Sequence, residues 1–382
     1  MSTSTITPGD AARSMWDVAV VGAGPAGSAC AAACARDGAR TLLLDRAVFP
    51  RDKVCGCCLS ARGVELAESL LGAGAMRRLR AMTLSRLELR TARREANLRL
   101  AGGVALSRSL LDSALFENAI NRGCAATMGV GARLRPAHSA DHRVLALSTG
   151  DAVHARMVVV ADGVAGHTLA DEPGMAWRIA TTSWMGAGCI AKASGCALDP
   201  GTVRMCCAAS GYVGMVRLAD GAVDIACALD PGASKLAGGP GALAARLVRA
   251  TGAPWPESDL AWRGAPLLTR TRTPAGHRVL AIGDAAGYVE PFTGEGMTWA
   301  LESALLAHPI ALLGAGRWSP EVSAAWIHRH RAAIGRRQRA CRSISALLRR
   351  QIALDMAMRV LARSPESGEM IARALHGRSE AA

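Results

Sequence analysis

The stretch RDKVCGCCLS, residues 51–60, puts Cys55, Cys57 and Cys58 into four consecutive positions, with Arg51 and Lys53 just ahead of them. Three readings are open to such a cluster: a metal site, a redox pair, or a loop in which cysteine is incidental to some other chemistry. A closed structural zinc site takes four ligands, which usually arrive as two separated pairs of Cys or His. Here the next cysteine is Cys124 and the next histidine is His138, both far along the chain, so no metal site is expected. Whether two of the three thiols join as a disulfide is a matter of geometry that spacing does not fix.

The elements that position this loop begin at Trp16–Val21 (WDVAVV), read as a short buried strand. Gly22-Ala-Gly24-Pro-Ala-Gly27 follows directly, and then SACAAACARDG, a small-residue run suited to a helix packed closely on a sheet. Strand, glycines and helix in this order form the dinucleotide fingerprint. Gly22 makes the tight turn, Gly24 lets backbone approach a pyrophosphate, and Gly27 lets helix and strand come close. The amides from Gly24 through Ala26 to Gly27, at the helix start, face the phosphates. A second strand, Thr41–Leu44, ends in Asp45, 21 residues after Gly24 and placed to accept from a ribose hydroxyl; Arg46 follows it. Two later stretches belong with these. VVVADG, 158–163, reads as a strand ending in an Asp162-Gly163 turn. RVLAIGDAAGYVEPFTGEGMTWAL, 278–301, reads as a strand that breaks at Gly283-Asp284 into a glycine-rich loop and then a helix.

GAGPAG, FPRDKVCG (49–56), SRSLLDSAL (107–115), VVVADG and GDAAGYVEPFTGEGM (283–297) occur in this order across nearly the whole chain. The chain therefore resembles the FAD-dependent oxidoreductases of the para-hydroxybenzoate hydroxylase fold, and within them the geranylgeranyl reductase branch. The resemblance implies that Asp45 holds the adenosine ribose and that Arg108 reaches the cofactor phosphates. It puts Asp284 at the pyrophosphate or ribityl region, and Pro291, the amides of Thr293, Gly294, Glu295 and Gly296, and Met297 against the isoalloxazine ring. Arg46, Arg51, Lys53, Asp162 and Gly163 are expected among the remaining cofactor contacts. Cys55 stands at the family's own cysteine position near the flavin, whereas Cys57 and Cys58 are additions of this chain. After Asp162-Gly163 the related proteins usually continue with a serine and an arginine; here Val164-Ala-Gly166-His-Thr168 stands instead, so those contacts do not transfer.

Of the 382 residues, half are apolar and a fifth charged, a globular composition with room for two domains. Basic residues exceed acidic ones by 14, and only Lys53, Lys192 and Lys235 are lysines. A positive field favours phosphate-bearing cofactors, anionic substrates or an anionic membrane surface. Nucleic acid is not expected as a partner, because two tyrosines and three phenylalanines leave little to stack bases and no recognition motif appears. The twelve scattered cysteines suit free thiols in a reducing cytoplasm. Val18–Ala35 is broken by glycine and proline, and no later stretch is read as long enough to span a membrane.

The fold expected is α/β. A Rossmann-type FAD-binding domain (1–80, 103–176 and 265–315) carries an inserted, mostly antiparallel substrate sheet (81–102 and 177–264), followed by C-terminal helices (316–382). Leu84–Ala105 reads as a strand pair turning at Arg93-Arg94, and 202–230 as strands with an Asp220-Gly221 hairpin turn. Such a sheet roofs the flavin and shapes a cavity for an apolar or aromatic small molecule, with Trp184, Met205, Tyr212 and Met215 as candidate lining. From Ser319-Pro320-Glu321, an N-cap followed by a first-turn proline and acid, the chain reads as helical. Eight arginines from Arg329 to Arg350, beside Ile344, Leu348 and Ile352 at helical spacing, suit contact with anionic lipid. NAD(P)H is expected as a transient reductant, since no second fingerprint occurs. Cys55, Tyr212 and Pro291 are the catalytic candidates. Halogenation is disfavoured because no lysine lies between Lys53 and Lys192. Two reactions share the scaffold, hydroxylation and reduction of a carbon-carbon double bond. Gly211-Tyr212-Val-Gly214-Met-Val-Arg217 keeps the tyrosine of the prenyl reductases but not their tryptophan and proline, which places hydroxylation of a phenolic or polyketide-like compound slightly ahead. A non-catalytic FAD-binding protein is the alternative of another class.

Overall fold

A computed structural model of the chain describes residues 5–100, 102–137, 139–192, 197–256, 260–290, 292 and 294–363. The first strand, Met15–Val21, lies at the centre of an eight-stranded sheet, between Thr41–Asp45 and Ala152–Val160, and pairs in parallel with both. Val279–Ala281 and Ala125–Met128 extend the parallel set on either side. Strands buried on both faces must be apolar throughout rather than alternating, and Val18–Val20 and Leu42–Leu44 are fully buried. The fingerprint helix, Pro25–Arg36, starts at an extended Gly24 with Pro25 in its first turn. Its alanines and Cys30 and Cys34 let it sit close between the sheet and the helices Arg108–Asn121 and Gly296–Gly316.

The inserted roof is a seven-stranded sheet. It runs in the order Arg263–Leu267, Met185–Ala191, Val223–Leu229, Gly211–Arg217, Thr202–Ala208, Arg86–Arg90, Glu95–Arg99. All neighbours are antiparallel except Thr202–Ala208 with Arg86–Arg90, which bring the two inserted pieces together in parallel. The hairpin at Asp220-Gly221 forms as its residues dictate, with Gly221 at φ +86.

Two expectations are corrected. Gly296–Gly316, at 21 residues, is long and apolar enough to cross a bilayer by length and composition; more than half of it is buried as a core helix against the fingerprint helix and Ala61–Leu71. The stripe Ile344–Leu348–Ile352 is not continuous. Helix Arg336–Leu348 ends before Arg350 and a new helix, Gln351–Arg363, begins, so the angular register resets. Ile352 is then 79% exposed, and Leu354 and Met358 pack on the roof instead. Arg349 fixes the junction by donating to Glu290, a fully buried carboxylate, at 3.0 and 3.2 Å.

Candidate functional site

Between the parallel sheet and the roof lies a cavity of about 2290 Å³. Ligand pockets usually enclose roughly 300–1,000 Å³, so this one has room for a dinucleotide and a second molecule. One end is the fingerprint. Gly22 holds φ +104, and a Cβ there would come within 2.4 Å of the Ala161 carbonyl oxygen; a Cβ on Gly27 would stand 1.7 Å from the Gly22 oxygen. Both glycines are demanded by the chain itself. Gly24 is different, since a Cβ there meets nothing nearer than Arg51 Nη2 at 3.6 Å and would project into the cavity. Among the described residues no side chain caps the helix start behind it. An open approach at Gly24, with helix amides left without a side-chain cap, fits a pyrophosphate.

Asp45 closes this end from the next strand. Its Oδ2 accepts from the Ala23 amide at 2.6 Å and its Oδ1 from the Ala47 amide at 2.8 Å, which fixes the carboxylate at the cavity wall. Arg51 reaches both Asp45 (3.5 Å) and Asp112 (3.7 Å) and keeps a buried Nε without a partner among the described residues. Arg108, expected at the phosphates, lines the cavity, forked onto Asp112 at 2.8 and 2.9 Å and hydrogen-bonded to the Cys55 thiol. Burial works against its charge, but Asp112 and then Cys55 hold its pKa above the ordinary value. Asp112 sits one helical turn after Arg108, a spacing that could have announced the pair.

Lys53 points at the Asp162-Gly163 turn, its Nζ 2.9 Å from where a Gly163 Cβ would stand. Burial first, then Arg108, lowers its pKa, with Asp284 pulling the other way. Burial raises the Asp284 pKa against the pull of Lys53 and Arg108. Asp162 folds back to accept from the Thr168 amide at 3.0 Å, so the non-standard Val164–Thr168 loop is held by the acid itself.

Of the remaining expected residues, Ala26, Arg46, Gly294, Gly296, Met297, Cys55 and Tyr212 line the cavity. Gly283, packed against Ala26, and Gly27 stand behind its wall, as does Glu295, which is 1% exposed. Pro291 and Thr293 lie outside the described residues. Met205 and Met215 line the cavity; Trp184 does not, but packs edge-on against Tyr212, which meets Phe292 on its other side at 5.2 Å. Burial, then Glu290, pushes the Tyr212 hydroxyl well above its ordinary pKa.

Sequence reasoning missed two parts of the site. Ile344, Leu347, Leu354, Met358 and Leu361 of the C-terminal helices line the far end of the cavity. Asp224 is a buried acid in the roof strand Val223–Leu229, hydrogen-bonded to the Cys57 thiol, with its Oδ2 unpartnered among the described residues. Burial raises its pKa to about 7, against the Cys57 hydrogen bond and Arg108. An acid inside an otherwise apolar strand was the available signal. Cys57 itself holds a left-handed φ of +49, and burial pushes its thiol up, as it does that of Cys58. All eleven described cysteines are free.

Residues 15–211 match the FAD binding domain family, more than half the chain. The chain belongs to this family and is a flavin-dependent oxidoreductase. It is 31% identical over 336 residues to a menaquinone reductase of Mycobacterium tuberculosis, spanning 76% of this chain and 75% of that protein. A menaquinone reductase of Mycolicibacterium smegmatis is 30% identical over 346 residues, spanning 81% and 79%. Among solved structures, a flavoprotein/dehydrogenase from Cytophaga hutchinsonii superposes with a TM-score of 0.75 at 15% identity, covering 96% of this chain and 94% of that one. A myxobacterial chondrochloren halogenase gives 0.70 at 20% identity, covering 83% and 79%. At those identities the structural likeness establishes the fold: a Rossmann-type FAD-binding domain, further sheets and a helical C-terminus. FAD is the cofactor this family binds, and the Gly24 opening, the uncapped amides and the Asp45 wall suit it.

Proposed function

We propose that this enzyme reduces a carbon-carbon double bond of a long apolar compound of the prenyl-quinone class, with NAD(P)H as the electron donor, as in the geranylgeranyl reductase branch. The observation that carries the reading is the size and division of the cavity. Its fingerprint end is polar and fits the cofactor, and its far end is walled by roof strands and by Ile344, Leu354 and Leu361, which suit an extended hydrocarbon. The relatives named menaquinone reductase support it.

FAD, when bound and reduced by NAD(P)H, would supply the hydride. Gly24, Ala26 and their neighbouring amides would hold its pyrophosphate, with Asp45 at the ribose and Lys53 and Asp284 nearer the ring. Cys55 Sγ lies on the wall between the two ends, with the Arg108 guanidinium beside it. It is the atom positioned to hold the proton that a reduced double bond takes up. Tyr212, fixed between Trp184 and Phe292, orients the head of the substrate. Ile352, Met356 and Val360 form an exposed stripe, 79%, 62% and 55% accessible, among arginines, and bring the far end of the cavity to an anionic membrane surface.

Hydroxylation is the second reading, favoured by the aromatic setting of Tyr212, which suits a phenolic ring. One experiment separates the two. The holoenzyme is incubated anaerobically with NADPH and a panel of prenyl quinones and phenols, and then in air, with oxygen uptake and product mass followed. Gain of two hydrogens without oxygen supports reduction. A product heavier by one oxygen, formed only in air, overturns it in favour of hydroxylation.

A further inference from the structure

Behind the loop that bounds the flavin end, a small sheet pairs Arg178–Ile179 with Arg270–Thr271 and the latter with Gly287–Tyr288. The register, Arg178 opposite Thr271 and Ile179 opposite Arg270, brings Trp177 opposite Arg272 at its next step. The Arg272 guanidinium carbon stands 3.4 Å from the centre of the Trp177 ring, and that of Arg270 5.2 Å from it. Two guanidinium groups thus share one indole. Arg270 is 7% exposed and spends Nε on the Leu267 carbonyl (2.8 Å) and Nη1 on that of Val164 (3.2 Å). Arg272 Nε and Trp177 Nε1 are buried donors without a partner among the described residues. No carboxylate among those residues forms an ion pair with either arginine. Asp162, the nearest acid to act on Arg272, is turned to the Thr168 amide.

A buried cation without a counter-charge, as Arg270 is, is unfavourable, and the half-buried Arg272 beside it adds to the cost unless an anion completes the group. Burial lowers the Arg272 pKa to about 10, with Arg270 adding to the effect and Asp162 opposing it. A concavity of about 160 Å³ opens here, lined by Val164–His167, Trp177, Pro266 and Arg270. The same 164–167 segment lines the flavin cavity on its other side. Planar, forked guanidinium donors match phosphoryl oxygens, and the indole N–H adds a further donor.

We propose that Arg272, Arg270 and Trp177 form an anion site that seats a phosphoryl group of the nicotinamide dinucleotide, docking the electron donor across the 164–167 loop from the flavin. This rests on the reading that a nicotinamide donor reduces the bound FAD. It supplies the docking place that the single fingerprint leaves unexplained.

The test uses holoenzyme, wild type, Arg272→Gln and Arg272→Lys. Calorimetry with adenosine 2′,5′-bisphosphate and with inorganic pyrophosphate should show binding to wild type, at least about tenfold weaker binding to R272Q, and partial recovery in R272K. In stopped-flow bleaching of the flavin, R272Q should need about tenfold more NADPH for half-maximal rate, with limiting rate, FAD content and bleaching by dithionite unchanged. Equal binding of both probes by wild type and R272Q overturns the anion site. If the probes bind with Arg272 dependence but neither NADPH nor NADH bleaches wild type, the donor reading fails and with it the dinucleotide assignment. Flotation with phosphatidate against phosphatidylcholine vesicles then reads whether a lipid headgroup is the source of the phosphate. Arg272-dependent capture by phosphatidate in an enzyme that NADPH does reduce would likewise overturn the dinucleotide as occupant.

Discussion

Asp224→Asn is the perturbation whose outcome the structure specifies most closely. The carboxyl is 5% exposed, one of its oxygens lacks a partner among the described residues, and its pKa is raised from 3.8 to about 7. That shift favours the neutral form in the fold by about 4 kcal/mol, at about 1.36 kcal/mol per tenfold change in proton affinity. A raised carboxyl pKa means the folded protein holds the proton more tightly than the unfolded chain. The associated stability is complete below about pH 4, falls as pH rises towards 7, and is gone above it. Asparagine mimics the neutral acid at every pH. For 382 residues the unfolding entropy is about 0.8 kcal/mol per degree, so the variant should melt as much as about 5 °C above wild type at pH 8 and within a degree of it at pH 4. The assay is the difference between the two melting midpoints across pH 4–8, with holoenzyme in both cases. Burial holds the Cys57, Cys58 and Cys189 thiols above their ordinary pKa, so they stay neutral across this window in both proteins. A constant offset between the two curves would refute the reasoning, because Asp224 would then not change protonation in this window.

Gly24→Val should fold, since its Cβ meets no backbone, yet purify with little FAD, while Gly27→Ala, with a Cβ 1.7 Å from the Gly22 oxygen, should fail to fold; visible flavin absorbance per protein and yield check both. Cys55→Ser should retain FAD but lose at least about tenfold in turnover; equal turnover when chemistry limits would remove Cys55 from the proton role, and Cys57→Ser and Cys58→Ser should keep the cofactor. His330, its pKa lowered to about 4 by burial and then by Arg331, stays neutral in the fold. Its stability is therefore complete above about pH 6.5 and falls by about 3 kcal/mol towards pH 4, and His330→Gln should flatten that acid limb in the same melting assay. Met358→Ala, at a residue 2% exposed, should cost about 2–4 kcal/mol and raise KM for the apolar substrate without changing FAD content.

The cofactor half was legible because its constraints are local. Gly22 and Gly27 are forced by contacts within one turn of chain, and a buried parallel strand is apolar throughout, so neither depends on distant residues. The strand pairs around Arg93-Arg94 and Asp220-Gly221 were legible for the same reason. What failed depended on where helices stop and on which side chains meet across the fold. Nothing in LLRRQIAL, 347–354, marks the break that turns Ile352 outward and Leu354 inward, because Arg349 ends the first helix through Glu290, 59 residues away in sequence. Arg108 was assigned from its motif, and its fork onto Asp112 on the next helical turn was readable from the i,i+4 spacing but not used.

The opening loop draws these pieces together, because the contacts of its successive residues alternate between the cofactor side and the roof. Arg51 reaches Asp45 and Asp112, Lys53 reaches the Gly163 turn, and Cys55 meets Arg108, all on the cofactor side. Between them Asp52 pairs with Arg263 at 3.6 Å, and Val54 lies 3.0 Å from where a Gly188 Cβ would stand, both on the roof. At Cys57 the left-handed turn ends the alternation and delivers that thiol to Asp224. One segment of seven residues thus contacts the dinucleotide wall, the junction of the cavity and the roof acid. The three cysteines accordingly divide by position: Cys55 faces the cavity beside a cation, Cys57 is buried on an acid, and Cys58 packs against Gly294. Only the first lies at the cavity wall beside a guanidinium, which is why the proton role proposed above falls to it and not to the other two.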